Sequence, residues 1–264
     1  MRFLKGHGTE NDFVVLPDPD GEIALTPGLV ARLCDRRAGI GGDGVLRVVR
    51  SAATPDAAQW AGETDWFMDY RNADGSVAEM CGNGVRVYAR YLVAAGLARP
   101  GHLRLATRGG IKEVDVPATG DVSVDMGPAL VGDPVDVDGT PATFVDVGNP
   151  HAVVPVASVD GLGELKTSRL DLNVEYVEDV SPTAIRMRVH ERGVGETRSC
   201  GTGACAAVVA TALRTGTPRG TAYDVEVPGG HLTVTWREDG HTVLTGPAVL
   251  LAEGVVDETW LTTA

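Results

Sequence analysis

Cys81-Gly82-Asn83-Gly84 and Cys200-Gly201-Thr202-Gly203 are near-copies of one tetrapeptide, and each leads into an apolar run of helical period. After the first, Val85, Tyr88, Ala89, Leu92 and Val93 fall at i, i+3, i+4, i+7 and i+8; after the second, Cys205, Val208, Val209, Ala212 and Leu213 do the same. Gly96 and Gly216 then supply stop signals. The chain therefore sets a cysteine just ahead of a glycine-flanked helix N-terminus, twice. The unpaired backbone N–H groups and positive dipole end of such a terminus bind anions and lower the pKa of a thiol. Two such thiols facing one substrate can take a proton from one face of a carbon and return it to the other.

Outside these motifs strands dominate. Asp12–Leu16, Val45–Val49 and Asp65–Tyr70 are short runs rich in Val, Phe, Trp and Tyr. Val122, Val124 and Met126 alternate with polar neighbours, as do Ile185, Met187 and Val189, and Leu232, Val234 and Trp236. Asp239-Gly240 reads as a hairpin turn. A further helix is predicted from Pro27 to about Asp35 with Thr26 as N-cap.

The strand–strand–helix order occurs in both halves, which meet at a Gly/Pro/Asp-rich junction around Gly127–Pro141. A second echo accompanies it: Asn11-Asp12-Phe13-Val14-Val15 resembles Asn149-Pro150-His151-Ala152-Val153-Val154. Two echoes in one order predict two similar halves. The expected fold is α+β, with two lobes related by a pseudo-twofold axis. Each lobe is a curved, mostly antiparallel sheet wrapped around a central helix, and the active site is expected in the cleft between them. Residues 1–128 form the expected N-terminal lobe, contributing Cys81, and 129–264 the C-terminal lobe, contributing Cys200. A terminal strand is free to complete the other lobe's sheet.

Composition narrows the function. With 43% hydrophobic and 22% charged residues, the chain is of ordinary globular type. A net charge of −13 argues against nucleic acid or anionic membrane as partner, since both call for clustered Lys and Arg. There is no apolar stretch long enough for a transmembrane helix, and Met1–His7 is too short and polar for a secretory signal. A cytoplasmic, reducing location with unpaired thiols is therefore expected. No cysteine or histidine spacing matches a structural zinc site, so no metal is expected.

A cysteine is by default a small buried hydrophobe, and Cys34 and Cys205 are read so. Cys81 and Cys200 differ, because each precedes Gly-x-Gly, which frees the backbone for close ligand approach. At these residues the sequence resembles the diaminopimelate epimerases, cofactor-independent amino-acid epimerases, almost end to end. The resemblance is carried by His7–Val14, Gly41-Gly42-Asp43-Gly44, Arg71–Ser76, Met80–Arg86, Gly148-Asn149-Pro150-His151, Asn173-Val174-Glu175 and, most specifically, Glu191–Ala204.

The resemblance implies interconversion of LL- and meso-2,6-diaminopimelate, on the route to lysine. It implies Cys81 and Cys200 as the catalytic thiols, exchanging roles as base and acid with reaction direction, and His151 and Glu191 as the groups that tune them. A thiol with pKa near 8.5 is only a few per cent ionised at neutral pH, and bringing it to about 7 requires about 2 kcal/mol. Two adjacent thiolates repel, so the pair is expected to titrate as one unit holding one proton. The reacting α-carboxylate is expected at the Gly82-Asn83 and Gly201-Thr202 amides. The distal end falls, by the same resemblance, to Asn11, Asn72, Asn149, Asn173, Glu191 and Arg192.

Two departures from the family pattern stand out, with a minor third. Gly44 occupies the place of a substrate-contacting Gln, Glu10 replaces the Gly common before the first Asn, and Ser199 replaces Ala. No external cofactor is expected, because none of the chain's three lysines lies in these motifs or in a glycine-rich anion site. A homodimer is a family expectation. The alternatives are a proline or hydroxyproline racemase of the same fold, disfavoured by Asn83 and Arg192, and a non-catalytic binding protein with a thiol redox switch.

Overall fold

The computed structural model describes residues 1–262. The described residues divide into two compact units, 1–122 with 248–262, and 123–247. The first unit contains β1 (Arg2–Gly8), β2 (Asn11–Pro17), α1 (Pro27–Cys34), β3 (Gly44–Arg50), β4 (Trp66–Asn72), α2 (Gly82–Ala94), β5 (Gly101–Thr107) and β6 (Gly110–Val116). The chain continues through β7 (Val122–Pro128), β8 (Leu130–Val131), β9 (Val135–Val137), β10 (Thr140–Asp146) and β11 (Pro150–Pro155). Next come β12 (Asn173–Ser181), β13 (Ala184–Glu191), β14 (Gly195–Thr197) and α3 (Gly201–Thr215). β15 (Ala222–Val227), β16 (Gly230–Trp236) and β17 (His241–Gly246) close the second unit. β18 (Val249–Val255) and α4 (Glu258–Thr262) return to the first.

Strand pairing repeats. In the first unit β1 is antiparallel to β2, β2 parallel to β3, β3 antiparallel to β4, β4 parallel to β5 and β5 antiparallel to β6. In the second the same sequence of senses runs β10, β11, β12, β13, β15, β16. The division differs from a cut at 128/129. β7 goes with the second unit because it pairs with β17, and β18 goes with the first because it pairs with β1. The Gly/Pro/Asp-rich junction is itself drawn into short strands of the second unit, β8 and β9, both paired to β10.

Each unit wraps its sheet on one helix. β1, β2, β3, β4, β6 and β18 all pack on α2, and β10 to β13, β16 and β17 pack on α3. Burial is consequently broader than a single apolar stripe. Arg86, Val87 and Tyr91 of α2 are buried as well as Val85, Tyr88, Ala89 and Leu92, and in α3 burial runs through Cys205–Ala212. A helix covered on most sides selects small or apolar residues nearly all round. Val93 is only partly buried and Leu213 is exposed, although both fall on the apolar stripe by spacing. Each fully buried Val or Leu contributes about 1.5–3 kcal/mol, so these two helices anchor their units.

The smaller signals are also resolved. Thr26 caps α1, its hydroxyl accepting from the Leu29 N–H at 3.2 Å. Gly216 closes α3 in the left-handed region, at φ 70°. Among the described residues no helix is long and apolar enough to cross a membrane.

Candidate active site

Cys81 and Cys200 are the N-caps of α2 and α3, both in extended backbone, with φ/ψ of −144°/119° and −127°/117°. In each case the sulfur accepts from the N–H of the residue three further on, Gly84 or Gly203, at 3.4 Å. The thiols thus take the place normally held by a Ser or Asp cap, and their sulfur lies at the positive end of the helix dipole.

In the first unit, Asn11 at the start of β2 holds Cys81. The thiol donates to Asn11 Oδ1 at 3.5 Å, and the buried Asn83 donates its Nδ2 to the same oxygen at 3.2 Å. Asn11 Nδ2 donates in turn to Asp43 Oδ2 at 2.7 Å, which fixes the orientation of the amide. Asn72, at the end of β4 and opposite Gly44, donates to Ser76 Oγ at 3.0 Å and closes a turn. The Gln common in the family at position 44 has no room here. A Cβ on Gly44 would lie 2.4 Å from the Arg71 carbonyl oxygen and 2.7 Å from the Tyr70 ring.

In the second unit the neighbours carry charge. His151, on β11, is fully buried; its Nδ1 lies 2.7 Å from Glu175 Oε1 and its Nε2 3.0 Å from Asn149 Oδ1. Asn173 bridges two backbone groups, donating to the Pro150 carbonyl and accepting from the Arg192 N–H, both at 3.0 Å. It thereby fixes the backbone at Arg192, whose residue is exposed. Glu191, at the end of β13, accepts from Thr197 Oγ1 and from the Cys200 thiol. Burial raises the Glu191 carboxyl above its ordinary range, and the nearby Glu175 adds to that. Burial likewise pushes the Cys200 thiol well above its usual value, reinforced by Glu191 and Glu175 and opposed by Thr202, whose hydroxyl lies 3.5 Å from the sulfur. Burial and the two carboxylates thus favour the protonated form of Cys200. Cys81, by contrast, is partly exposed.

Glu175, Asp43 and Thr197 lie within motif segments, yet none was singled out for a role from sequence. Each acts through a partner on another element or turn, and nothing in local spacing shows such a partner. Among the described residues no group of three or more His, Cys, Asp or Glu could hold a metal ion. A separate pocket in the first unit, bordered by Pro17, Asp18, Ile23, Leu29 and Arg32, shares no residue with either thiol site.

A family model described as diaminopimelate epimerase matches residues 3–131 and 143–251. The chain is 56% identical to a diaminopimelate epimerase of Streptomyces coelicolor, over 99% of this chain and 97% of that one. It is 50% identical to a diaminopimelate epimerase of Thermobifida fusca, covering 97% and 98% of the two chains. Among solved structures, a phenazine biosynthesis protein of the PhzF family from Bacillus anthracis superposes with a TM-score of 0.73 at 16% identity, covering 97% and 99%. A probable proline racemase from Agrobacterium radiobacter gives 0.71 at 15%, covering 97% and 93%. At such identities these two likenesses concern fold alone.

Proposed function

Because the chain belongs to the diaminopimelate epimerase family and is an isomerase, we propose that it interconverts LL- and meso-2,6-diaminopimelate by a two-base mechanism in lysine biosynthesis. The observation that carries this reading is the pair of cysteine-capped helices with unlike surroundings. In one direction Cys81, as thiolate, removes the Cα proton, and Cys200, kept protonated by burial and by two carboxylates, returns a proton to the opposite face. In the reverse direction the roles exchange. The α-carboxylate takes the N–H groups at Gly82-Asn83 and Gly201-Thr202, which stabilise the charge that grows as the proton leaves. Asn11, Asn72, Asn149, Asn173, Glu191 and Arg192 bind the distal amino-acid end. His151 and Glu191 tune the thiols. The enzyme needs no external cofactor in this reading and works as a cytoplasmic homodimer.

Epimerisation in D₂O tests the mechanism, with L-proline and trans-4-hydroxyproline assayed alongside. Deuterium should enter newly formed product, with little early exchange into recovered substrate. Rapid exchange into substrate without inversion would eliminate the two-base scheme. Turnover of the ring substrates alone would eliminate the substrate assignment.

A further inference from the structure

The β5–β6 and β15–β16 hairpins present the same tip to the same place in each unit. β5 pairs with β6 up to Thr107↔Gly110, and β15 with β16 up to Val227↔Gly230. Each hairpin thus closes on a two-residue tip, Arg108-Gly109 or Pro228-Gly229, followed by a second glycine. Gly109 donates its N–H to the Glu79 carbonyl at 3.0 Å, and Gly229 donates its N–H to the Arg198 carbonyl at 2.9 Å. Glu79 and Arg198 each stand two residues before a cysteine cap, Cys81 and Cys200. The bond therefore recurs at one offset from each thiol, although the side chains around the two thiols are unlike.

Gly109 is small for the sake of close approach. Gly110, at φ 91°, occupies a backbone region closed to most side chains, but Gly109 does not. What a side chain at Gly109 would meet is the segment ahead of Cys81. A Cβ there would lie 3.2 Å from the Met80 Cβ and 3.7 Å from the Glu79 carbonyl oxygen. Gly109 is itself exposed, so core packing does not require its small size.

Both tips are braced. In the first unit Arg108 Nη2 meets Asp69 Oδ1 at 2.8 Å and also pairs with Asp56. Asp69 is wholly buried on β4 and is shared with Arg47 and Arg71. A buried ionic cluster carries a desolvation cost of several kcal/mol per ion that apolar side chains would not. This one ties the hairpin tip to the strand that leads toward Cys81. In the second unit Arg198 donates its Nη2 to the Pro228 carbonyl at 2.8 Å, a further bond between tip and cap segment.

We propose that Gly109 and Gly229 are positioning residues for the two thiols: each tip holds the backbone two residues ahead of a cysteine cap and so sets where its sulfur lies against the helix N-terminus. That the thiols act on a substrate carbon rests on the epimerase reading above. Proton transfer is sensitive to such placement, since a shift of about 1 Å can cost on the order of a hundredfold in rate.

The test is a pair of series, Gly109→Ala and Gly109→Val with Gly229→Ala and Gly229→Val. Each is read by diaminopimelate kinetics, by iodoacetamide alkylation of each cysteine as a function of pH, and by melting temperature. The side chains leave the N–H in place but press on the cap segment. kcat should fall roughly two- to fivefold with alanine and ten- to a hundredfold with valine, while KM stays within about twofold. A sulfur moved off its cap loses the N–H contact that favours the thiolate. The alkylation midpoint of Cys81 should therefore rise by about half a pH unit in Gly109→Val, with the Cys200 profile unmoved. Gly229→Val should alter the Cys200 profile and leave that of Cys81. The alanine variants should melt within about 2 °C of wild type, as surface substitutions do. Wild-type kcat in both valine variants, or a change that falls on both thiols alike in either one, would overturn the proposal. Absence of diaminopimelate turnover in wild type would instead overturn the functional reading, and the alkylation profiles would still decide what the tips do.

Discussion

The two thiol-capped helix N-termini share the backbone conformation of the cap and the 3.4 Å N–H to sulfur contact, but their neighbours differ in kind. Near Cys81 and Gly84 stand Asn11, Asn83, Phe13 and Leu46, none of them ionisable. Near Cys200 and Gly203 stand Glu191, Glu175 and Thr202, with His151 hydrogen-bonded to Glu175. The helix terminus makes each thiol a candidate base, and the neighbouring side chains set its charge. Glu191 and Glu175 both oppose a further negative charge at Cys200. A duplicated backbone can thus carry two thiols in unlike surroundings through the substitution of a few buried residues.

Changing Glu191 should disturb this contrast most. Glu191→Gln removes one of the charges acting on Cys200, and kcat/KM should fall at least about a hundredfold. Stability should move the other way. Burial raises the folded-state pKa of Glu191, so ionising this group disfavours the fold, and stability is lost as pH climbs from the ordinary value of 4.5 through the raised one. The Gln variant escapes that loss. Its melting temperature should exceed that of wild type at pH 7, and the difference should shrink as the pH falls below 4.5. A lower melting temperature at neutral pH would show that the carboxylate is a net support of the fold.

Thiol reactivity sharpens the comparison at smaller amplitude. In unliganded protein at neutral pH, iodoacetamide should modify Cys81 at least about tenfold faster than Cys200, because Cys200 is both buried and protonated. Peptide mass spectrometry over a time course reads the order directly. Faster labelling of Cys200 would reverse the assignment of resting acid and base. Cys34, whose thiol is pushed up to about 11 by burial, serves as a slow internal control.

The smallest expected effect concerns the turns that deliver the two asparagines. Asn149 follows Gly148 at φ 89°, whereas Asn11 follows Glu10 at φ 61° and Thr9 at φ 47°. The first hairpin therefore holds two side-chain-bearing residues in the left-handed region of a two-residue turn, where glycine and asparagine are favoured. Glu10→Gly makes the first turn resemble the second and should stabilise the protein by about 1 kcal/mol in chemical denaturation. An unchanged midpoint would mean that contacts of Glu10 offset the strain.

Much of this contrast was legible along the chain. The two cysteine caps, the helices behind them and the strands of the first half follow from period, glycine and β-branched residues within short windows. So does the echo between Asn11–Val15 and Asn149–Val154, which proves to mark equivalent strands, β2 and β11. Less legible were features that depend on cover or register. Leu213 belongs to the apolar stripe by spacing yet is exposed, while its neighbour Ala212 is buried, and spacing along the helix does not show which side the sheet covers. The return of a terminal strand to the other lobe was foreseen and is β18, paired to β1, but the cut near 128 left β7 on the wrong side of its distant pairing partner β17.

Glu175 shows the division most clearly. Its segment carries the family resemblance, but its partner His151 lies 24 residues away. Only the parallel register of β11 and β12 brings the two together, above a glycine of a third element. By itself the sequence determined the duplicated thiol caps, because capping and helical period are set by neighbours a few residues apart. The tertiary structure alone decided that the Cys200 thiol is pushed upward, because burial and the approach of distant carboxylates are properties of packed strands.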